Sequence, residues 1–190
     1  MTDQLRERLI SSRTVFEGRL LTVRLDEVEL ADGKRAAREM VRHPGAVAIV
    51  ALAPDDQVVM IRQYRHAAGE VLWELPAGVL EPGEDRAACA RRELTEETGY
   101  AAGEMAPLLS TLPSPGFSSE IIHLFLAREL RQVGRSIQPD ERIEVHLLPF
   151  DEAVAMVLRG EVRNGAAICG LLAVAELRRG QREQEVAPIS

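Results

Sequence analysis

The stretch 78–100, GVLEPGEDRAACARRELTEETGY, constrains this chain more than any other. A lead-in rich in Pro and Gly gives way to one helix, read from about Asp85 to Thr98. Gly99 stands where a left-handed C-terminal cap belongs. Glu93, Glu96 and Glu97 fall at i, i+3 and i+4, so their carboxylates share one face within a turn and repel one another. Ala87, Ala88, Cys89, Ala90 and Leu94 provide a small apolar side for packing on a sheet. Two readings follow. One is a solvated acidic helix face. The other is a site for a hard divalent cation such as Mg²⁺ or Mn²⁺, which takes carboxylate oxygens and keeps waters for substrate phosphates. Arg91 and Arg92 precede the stripe and are placed to orient one glutamate by a charge-assisted hydrogen bond. Gly78 and Gly83 allow the lead-in loop to bend so that its backbone approaches an ion.

Around this segment the chain alternates strand and helix patterns. LLTVRL puts Leu21, Val23 and Leu25 on one face; the phase breaks at Asp26-Glu27, which predicts a β-bulge there. Asp32-Gly33 predicts a hairpin turn, with AAREMVRH returning as a more polar strand. GAVAIVALA is a continuous apolar run and predicts a strand buried on both faces, against which QVVMIRQYR pairs. PAGVLEPGE reads as loop. PLLSTL and EIIHLFLAREL read as strands separated by the turn-rich PSPGFSS, and IEVHLLP as a further strand after a polar loop. Asp151 is the expected cap of a helix ending before Gly160, and Asn164 that of a second helix ending before Gly180. The segment after Gly180 reads as a loosely held tail. Strands and helices alternate without βαβ regularity, so the expected class is α/β: an α/β/α sandwich with a mixed sheet, preceded by an N-terminal antiparallel β region.

Charge and composition remove several functions. A net charge of −7 argues against general nucleic-acid binding. No apolar run approaches the roughly 18 residues of a membrane span. Cys89 and Cys169 form neither a disulfide framework nor a zinc spacing, and MTDQLRERLI lacks the apolar core of a secretion signal. A soluble cytoplasmic protein is expected. His43, His66, His123 and His146 are scattered and read as structural. Ser114, Ser118 and Ser119 lack a nucleophile-elbow context, and neither a Walker motif nor a GxGxxG after a strand occurs.

The spacing Gly78, five residues to Glu84, seven to Arg92-Glu93-Leu94, one to Glu96-Glu97, one to Gly99-Tyr100 resembles the Nudix box at every defined position. That resemblance implies a Nudix-type sandwich that binds two to three divalent ions, Mg²⁺ or Mn²⁺, and hydrolyses a diphosphate linked to another group. It implies Glu93 and Glu97 as main metal ligands, Glu96 as an additional one and the Ala77 carbonyl completing a site, with Arg92 beside them. RQYR before the box, WELPAG leading into it and SPGFSSE after it resemble the ADP-ribose pyrophosphatase branch, whose proline marker Pro115 matches. The branch implies Mg²⁺-dependent splitting of ADP-ribose into AMP and ribose 5-phosphate. Its catalytic base, or an extra metal ligand, falls at Glu141, with Asp140 and Glu144 as alternatives because Pro139 replaces a carboxylate. The nearest alternative is the same catalyst acting on a nucleotide sugar, FAD, a dinucleotide or an oxidised nucleotide, and a non-catalytic ligand sensor is the reading from another class.

The flanking residues supply substrate candidates. Arg62 and Arg65 are placed to hold a phosphate or terminal ribose, or else are surface charges of an edge strand. Trp73 and Phe117 offer rings for adenine, Trp73 equally for core packing; Pro115 and Gly116 shape the turn that carries Phe117. The expected organisation is 1–42 as the β region for dimerisation and the substrate pocket, 43–180 as the catalytic domain and 181–190 as tail. By resemblance the N-terminal region exchanges across a two-fold interface, which implies a homodimer.

Overall fold

A computed structural model describes residues 3–136 and 142–186. The chain separates into two compact units, Met1–Gly45 with Leu112–Ile121, and Ala46–Thr111 with Ile122–Ser190.

In the first unit β1 (Arg8–Glu17), β2 (Thr22–Glu29) and β3 (Arg35–Arg42) form an antiparallel sheet in that order. The β2–β3 hairpin closes as the Asp32-Gly33 signal predicts: Gly33 takes a φ of 81° and its amide donates to the Leu30 carbonyl at 2.9 Å. The expected bulge at Asp26-Glu27 is not in β2. It lies in β1, where the register slips between Leu9 and Ser11 and between Thr14 and Phe16, while β2 pairs with β3 without interruption. The phase break has another cause. Asp26 is itself buried, on the same face as Val28, and the Ser12 hydroxyl donates to its carboxylate. A hydrogen-bonded carboxylate thus occupies a position the apolar alternation assigned to solvent.

The second unit is a mixed seven-stranded sheet between helices. Its strands are β4 (Ala46–Ala53), β5 (Gln57–Arg65), β6 (Glu70–Glu74), β7 (Ala77–Val79), β8 (Tyr100–Thr111), β9 (Ile122–Gln132) and β10 (Ile143–Pro149). The order is β10-β5-β4-β9-β8, with β6 on β5 and β7 on β4. β4 pairs with β9 in parallel; the other pairings are antiparallel. Residues Val47 to Ala51 of β4 have no exposure, as the unbroken apolar run predicts. Val47, Ile49 and Ala51 pack with Cys89, Ala90 and Leu94 of α1 (Arg86–Thr98). Ala48 and Val50 pack with Phe150 and Ala153 of α2 (Phe150–Leu158) and Leu171 of α3 (Gly165–Val186). The central strand is therefore buried on both faces, and each such large apolar side chain contributes about 1.5–3 kcal/mol.

Three local expectations change. PAGVLEPGE is not all loop, because Ala77–Val79 pairs with Ala46–Ala48 as β7. Asp151 does not cap α2: the helix begins two residues earlier than expected, at Phe150, with Pro149 at the cap position and no side-chain cap bond. Phe150 is buried and its amide donates to the Asp56 carbonyl at 2.8 Å, which fixes that start and leaves Asp151 in the first turn, where the helix dipole favours it. Asn164 does cap α3, accepting from the Ala167 amide at 3.0 Å, but the helix runs through Gly180 to Val186 instead of ending there. One glycine costs a helix about 1 kcal/mol, less than the good helix formers around it supply.

Candidate active site

The box segment folds as its caps dictate. The Asp85 carboxylate accepts from the Ala87 and Ala88 amides at 3.0 and 3.1 Å, and Gly99, at a φ of 78°, ends the helix with its amide on the Thr95 carbonyl. With Cys89, Ala90 and Leu94 turned to the sheet, Glu93 and Glu97 lie one turn apart on the inner side of α1, only 9% and 3% exposed. Those exposures exclude a solvated helix face. Glu97 Oε2 accepts from the Ala77 amide at 2.9 Å, which brings it onto β7.

Gly78 is glycine for a reason other than loop bending. Its φ is not positive, but a methyl group there would fall within the Glu93 carboxylate. Gly83, at a φ of 78°, is the residue that turns the lead-in.

The glutamates do have a neutralising partner on the helix. Arg92 grips Glu84 with two hydrogen bonds of 2.9 Å, meets Glu93 Oε1 at 2.6 Å and reaches Glu96 Oε2 at 3.3 Å. The Arg92 bonds hold the Glu84 carboxyl down at about 2, against the upward push of its partial burial. The Arg92 guanidinium is held above its ordinary range in return, first by Glu84. Arg91 does not share this role; its guanidinium donates to the Ala102 carbonyl at 2.7 Å. Burial pushes the Cys89 thiol up to about 12, so it stays protonated beneath the site.

Among the described residues, no three His, Cys, Asp or Glu side chains are grouped to close around an ion as they stand. The cause is local: Arg92 holds Glu93 and Glu96, and Glu97 is drawn onto Ala77. The donor set still fits a hard divalent cation. It offers two inward carboxylates one turn apart, a third at Glu96, and a backbone kept bare of side chain at Gly78.

The other candidates divide between the sheet faces. Arg65 lies on the α1 side and grips Glu74 through Nε and Nη2, the shortest contact being 2.6 Å. Glu74 is 2% exposed and was not singled out from sequence; an acid inside the apolar run VLWEL was its one signal. β5 is not an edge strand, since β10 flanks one side and β4 and β6 the other. Arg62 and Trp73 face the opposite side, toward α2 and α3. The Arg62 guanidinium lies 5.3 Å over the Trp73 ring, and His146 meets the same ring edge-on at 4.9 Å. One face of Trp73 is covered by Arg62, and its body lies partly buried against the α2–α3 core. Glu144 pairs with Arg62 and His146 at 3.5 Å each, on that same far side. Glu141 and Asp140 lie outside the described residues.

Pro115, Gly116 and Phe117 belong to the first unit. The Ser118 amide donates to the Ser114 carbonyl at 2.9 Å to form the turn, and Phe117 is 57% exposed.

The NUDIX domain family matches residues 41–168, and the nucleoside diphosphate sugar hydrolase N-terminal domain matches residues 7–41. The chain is 42% identical over 174 residues to the ADP-ribose pyrophosphatase of Mycobacterium tuberculosis, covering 90% of this chain and 84% of that one. It is 42% identical over 153 residues to the methanol dehydrogenase activator of Bacillus methanolicus, covering 80% and 83%. The crystal structure of an ADP compounds hydrolase superposes with a TM-score of 0.82 at 24% identity, covering 93% of this chain and 96% of that one, and so shares the fold.

Proposed function

Since the chain belongs to the Nudix family of hydrolases, we infer that it splits the diphosphate of ADP-ribose into AMP and ribose 5-phosphate. The observation that carries the chemistry is the placement of Glu93 and Glu97, both buried and pressed against Ala77 and Gly78. The choice of substrate is supported by the 42% identity to a protein named ADP-ribose pyrophosphatase.

In this reading Glu93, Glu96, Glu97 and the Ala77 carbonyl would hold two to three ions, Mg²⁺ or Mn²⁺. When bound, such ions neutralise the diphosphate and lower the pKa of water. Arg92 sets the orientation of Glu93, and Glu84 sets that of Arg92. Water attacks one phosphorus, the bridging P–O bond breaks, and the proton passes to a carboxylate, Glu141 by preference. Arg65 and the turn of Pro115, Gly116 and Phe117 are the substrate contacts. Arg62 and Trp73 are left out, because they face the side of the sheet away from α1.

A panel of diphosphates at one Mg²⁺ concentration tests the assignment. ADP-ribose is expected to show a higher kcat/KM than UDP-glucose, FAD or nucleoside triphosphates, with AMP and ribose 5-phosphate as products. If another compound outruns it by about tenfold, the substrate reading fails while the family chemistry stands. Binding without hydrolysis across the panel identifies a ligand sensor instead.

We also infer a homodimer that works in the cytoplasm. β1 is mostly exposed on both of its faces, with Leu9, Val15 and Phe16 among the exposed residues, more apolar surface than one three-stranded sheet covers. Light scattering at micromolar concentration is expected to give a dimer, and deletion of the residues before Arg42 to weaken substrate binding. A monomer with full activity refutes the dimer. No helix among the described residues is long and apolar enough to cross a membrane.

A further inference from the structure

The turn that carries Phe117 is fastened to the end of β3. The Val41 amide donates to the Phe117 carbonyl at 2.7 Å, the Ser119 amide returns to the Val41 carbonyl at 2.9 Å, and the His43 amide donates to the Ser119 hydroxyl at 3.1 Å. The His43 side chain adds a fourth tie. Its Nδ1 accepts from the Gly45 amide at 3.1 Å and lies 3.7 Å from Glu120 Oε1, and the side chain is only 11% exposed. Among the described residues Glu120 is the charged group that meets the ring. Pro44 and Gly45 bring none, and Arg42 is an exposed neighbour along the chain.

Nδ1 cannot serve both partners in one protonation state. As a lone pair it accepts the Gly45 amide and offers Glu120 nothing; as N–H it can donate to Glu120 and no longer accept from Gly45. We propose that His43 is a proton-operated positioning residue for the loop 114–120. The neutral ring holds Gly45, and the protonated ring exchanges that bond for an ion pair with Glu120 that clamps the loop on β3. The exchange needs a side chain that can gain a ring proton, and imidazole is the one that can do so in ordinary aqueous conditions. The mechanical part stands on the geometry alone; its effect on catalysis rests on the reading of Phe117 and its turn as substrate contacts.

Asparagine at this position puts its Oδ1 where histidine carries Nδ1, so H43N keeps an acceptor for Gly45 and cannot be protonated. Hydrogen exchange of the Gly45 and Ser119 amides, corrected for intrinsic rates, is followed between about pH 8 and 5.5. In the wild type Gly45 is expected to lose protection several-fold on acidification while Ser119 gains it. H43N is expected to show neither change, and E120Q to lose Gly45 protection without the gain at Ser119. The proposal is overturned if H43N reproduces the wild-type response, or if the imidazole resonances show His43 still neutral at the acid end. In parallel, the KM for ADP-ribose is expected to fall about three- to tenfold in the wild type relative to H43N over that range, with the kcat ratio constant. The fall follows because the ion pair cancels the Glu120 charge beside an anionic substrate. A constant KM ratio with the amide changes intact upholds the clamp and removes the loop from the substrate site.

Discussion

Replacing Glu97 by glutamine is expected to lower turnover at saturating Mg²⁺ by at least about a hundredfold, or roughly 2.7 kcal/mol of barrier. The change keeps size, helix propensity and an oxygen that can accept the Ala77 amide, so the local structure persists. What disappears is a carboxylate charge at a position only 3% exposed, one turn from Glu93. Melting temperature without metal is expected to stay level or rise, because two like charges at i, i+4 no longer repel. The measurements are steady-state turnover and a thermal melt in chelator. Near wild-type turnover would sink the assignment of Glu97 as a metal ligand.

Gly78→Ala is expected to separate stability from activity. The added methyl would overlap the Glu93 carboxylate, which is the far end of a movable side chain and can swing aside. The backbone tolerates alanine, since Gly78 has no positive φ. Removing a glycine also lowers the entropy of the unfolded chain, worth about 0.4–1 kcal/mol in favour of folding. Stability is therefore expected to remain within about 1 kcal/mol of the wild type. Turnover is expected to fall at least about tenfold, with weaker Mg²⁺ binding by calorimetry, because the displaced carboxylate can no longer meet an ion. An active, folded variant of wild-type metal affinity would show that Glu93 works from another position. A collapse in stability would show that the carboxylate has nowhere to go.

The features legible from sequence are those decided within a few residues. α1 was legible because Gly99 and the i, i+3, i+4 glutamates all act inside one helix; that Asp85 caps its start emerged only with the fold. The β2–β3 hairpin was legible because Asp32-Gly33 selects its own turn, and β4 because an unbroken apolar run needs cover on both sides. What escaped depends on distant partners. β7 is a strand because β4 offers it a ladder, not because Ala77–Val79 favours one. Asp26 is inside because Ser12, on another strand, satisfies it, and Glu74 because Arg65 does. Arg92 looked able to orient one glutamate, but no spacing rule says that one guanidinium will serve Glu84, Glu93 and Glu96 together. Arg62 and Arg65 looked equivalent. Their opposite faces follow from strand parity, but which face meets α1 is decided only when the helices pack.

The first unit is assembled from pieces far apart in the chain, and this matters while the protein is being made. Val41 finds its hydrogen-bonding partners at Phe117 and Ser119, and Ala46–Ala51 finds its parallel partner at Ile122–Ala127. Both ties wait for the same late stretch of polypeptide. At about 5–20 residues per second, a ribosome leaves the nascent β3 and β4 with bare backbone edges for roughly 4–15 s. An uncovered strand edge is a template for any neighbouring chain. The run AVAIVALA, apolar on both sides, is the segment most exposed to that risk. Nascent-chain protection, rather than the stability of the finished fold, is thus the step at which this architecture is most vulnerable.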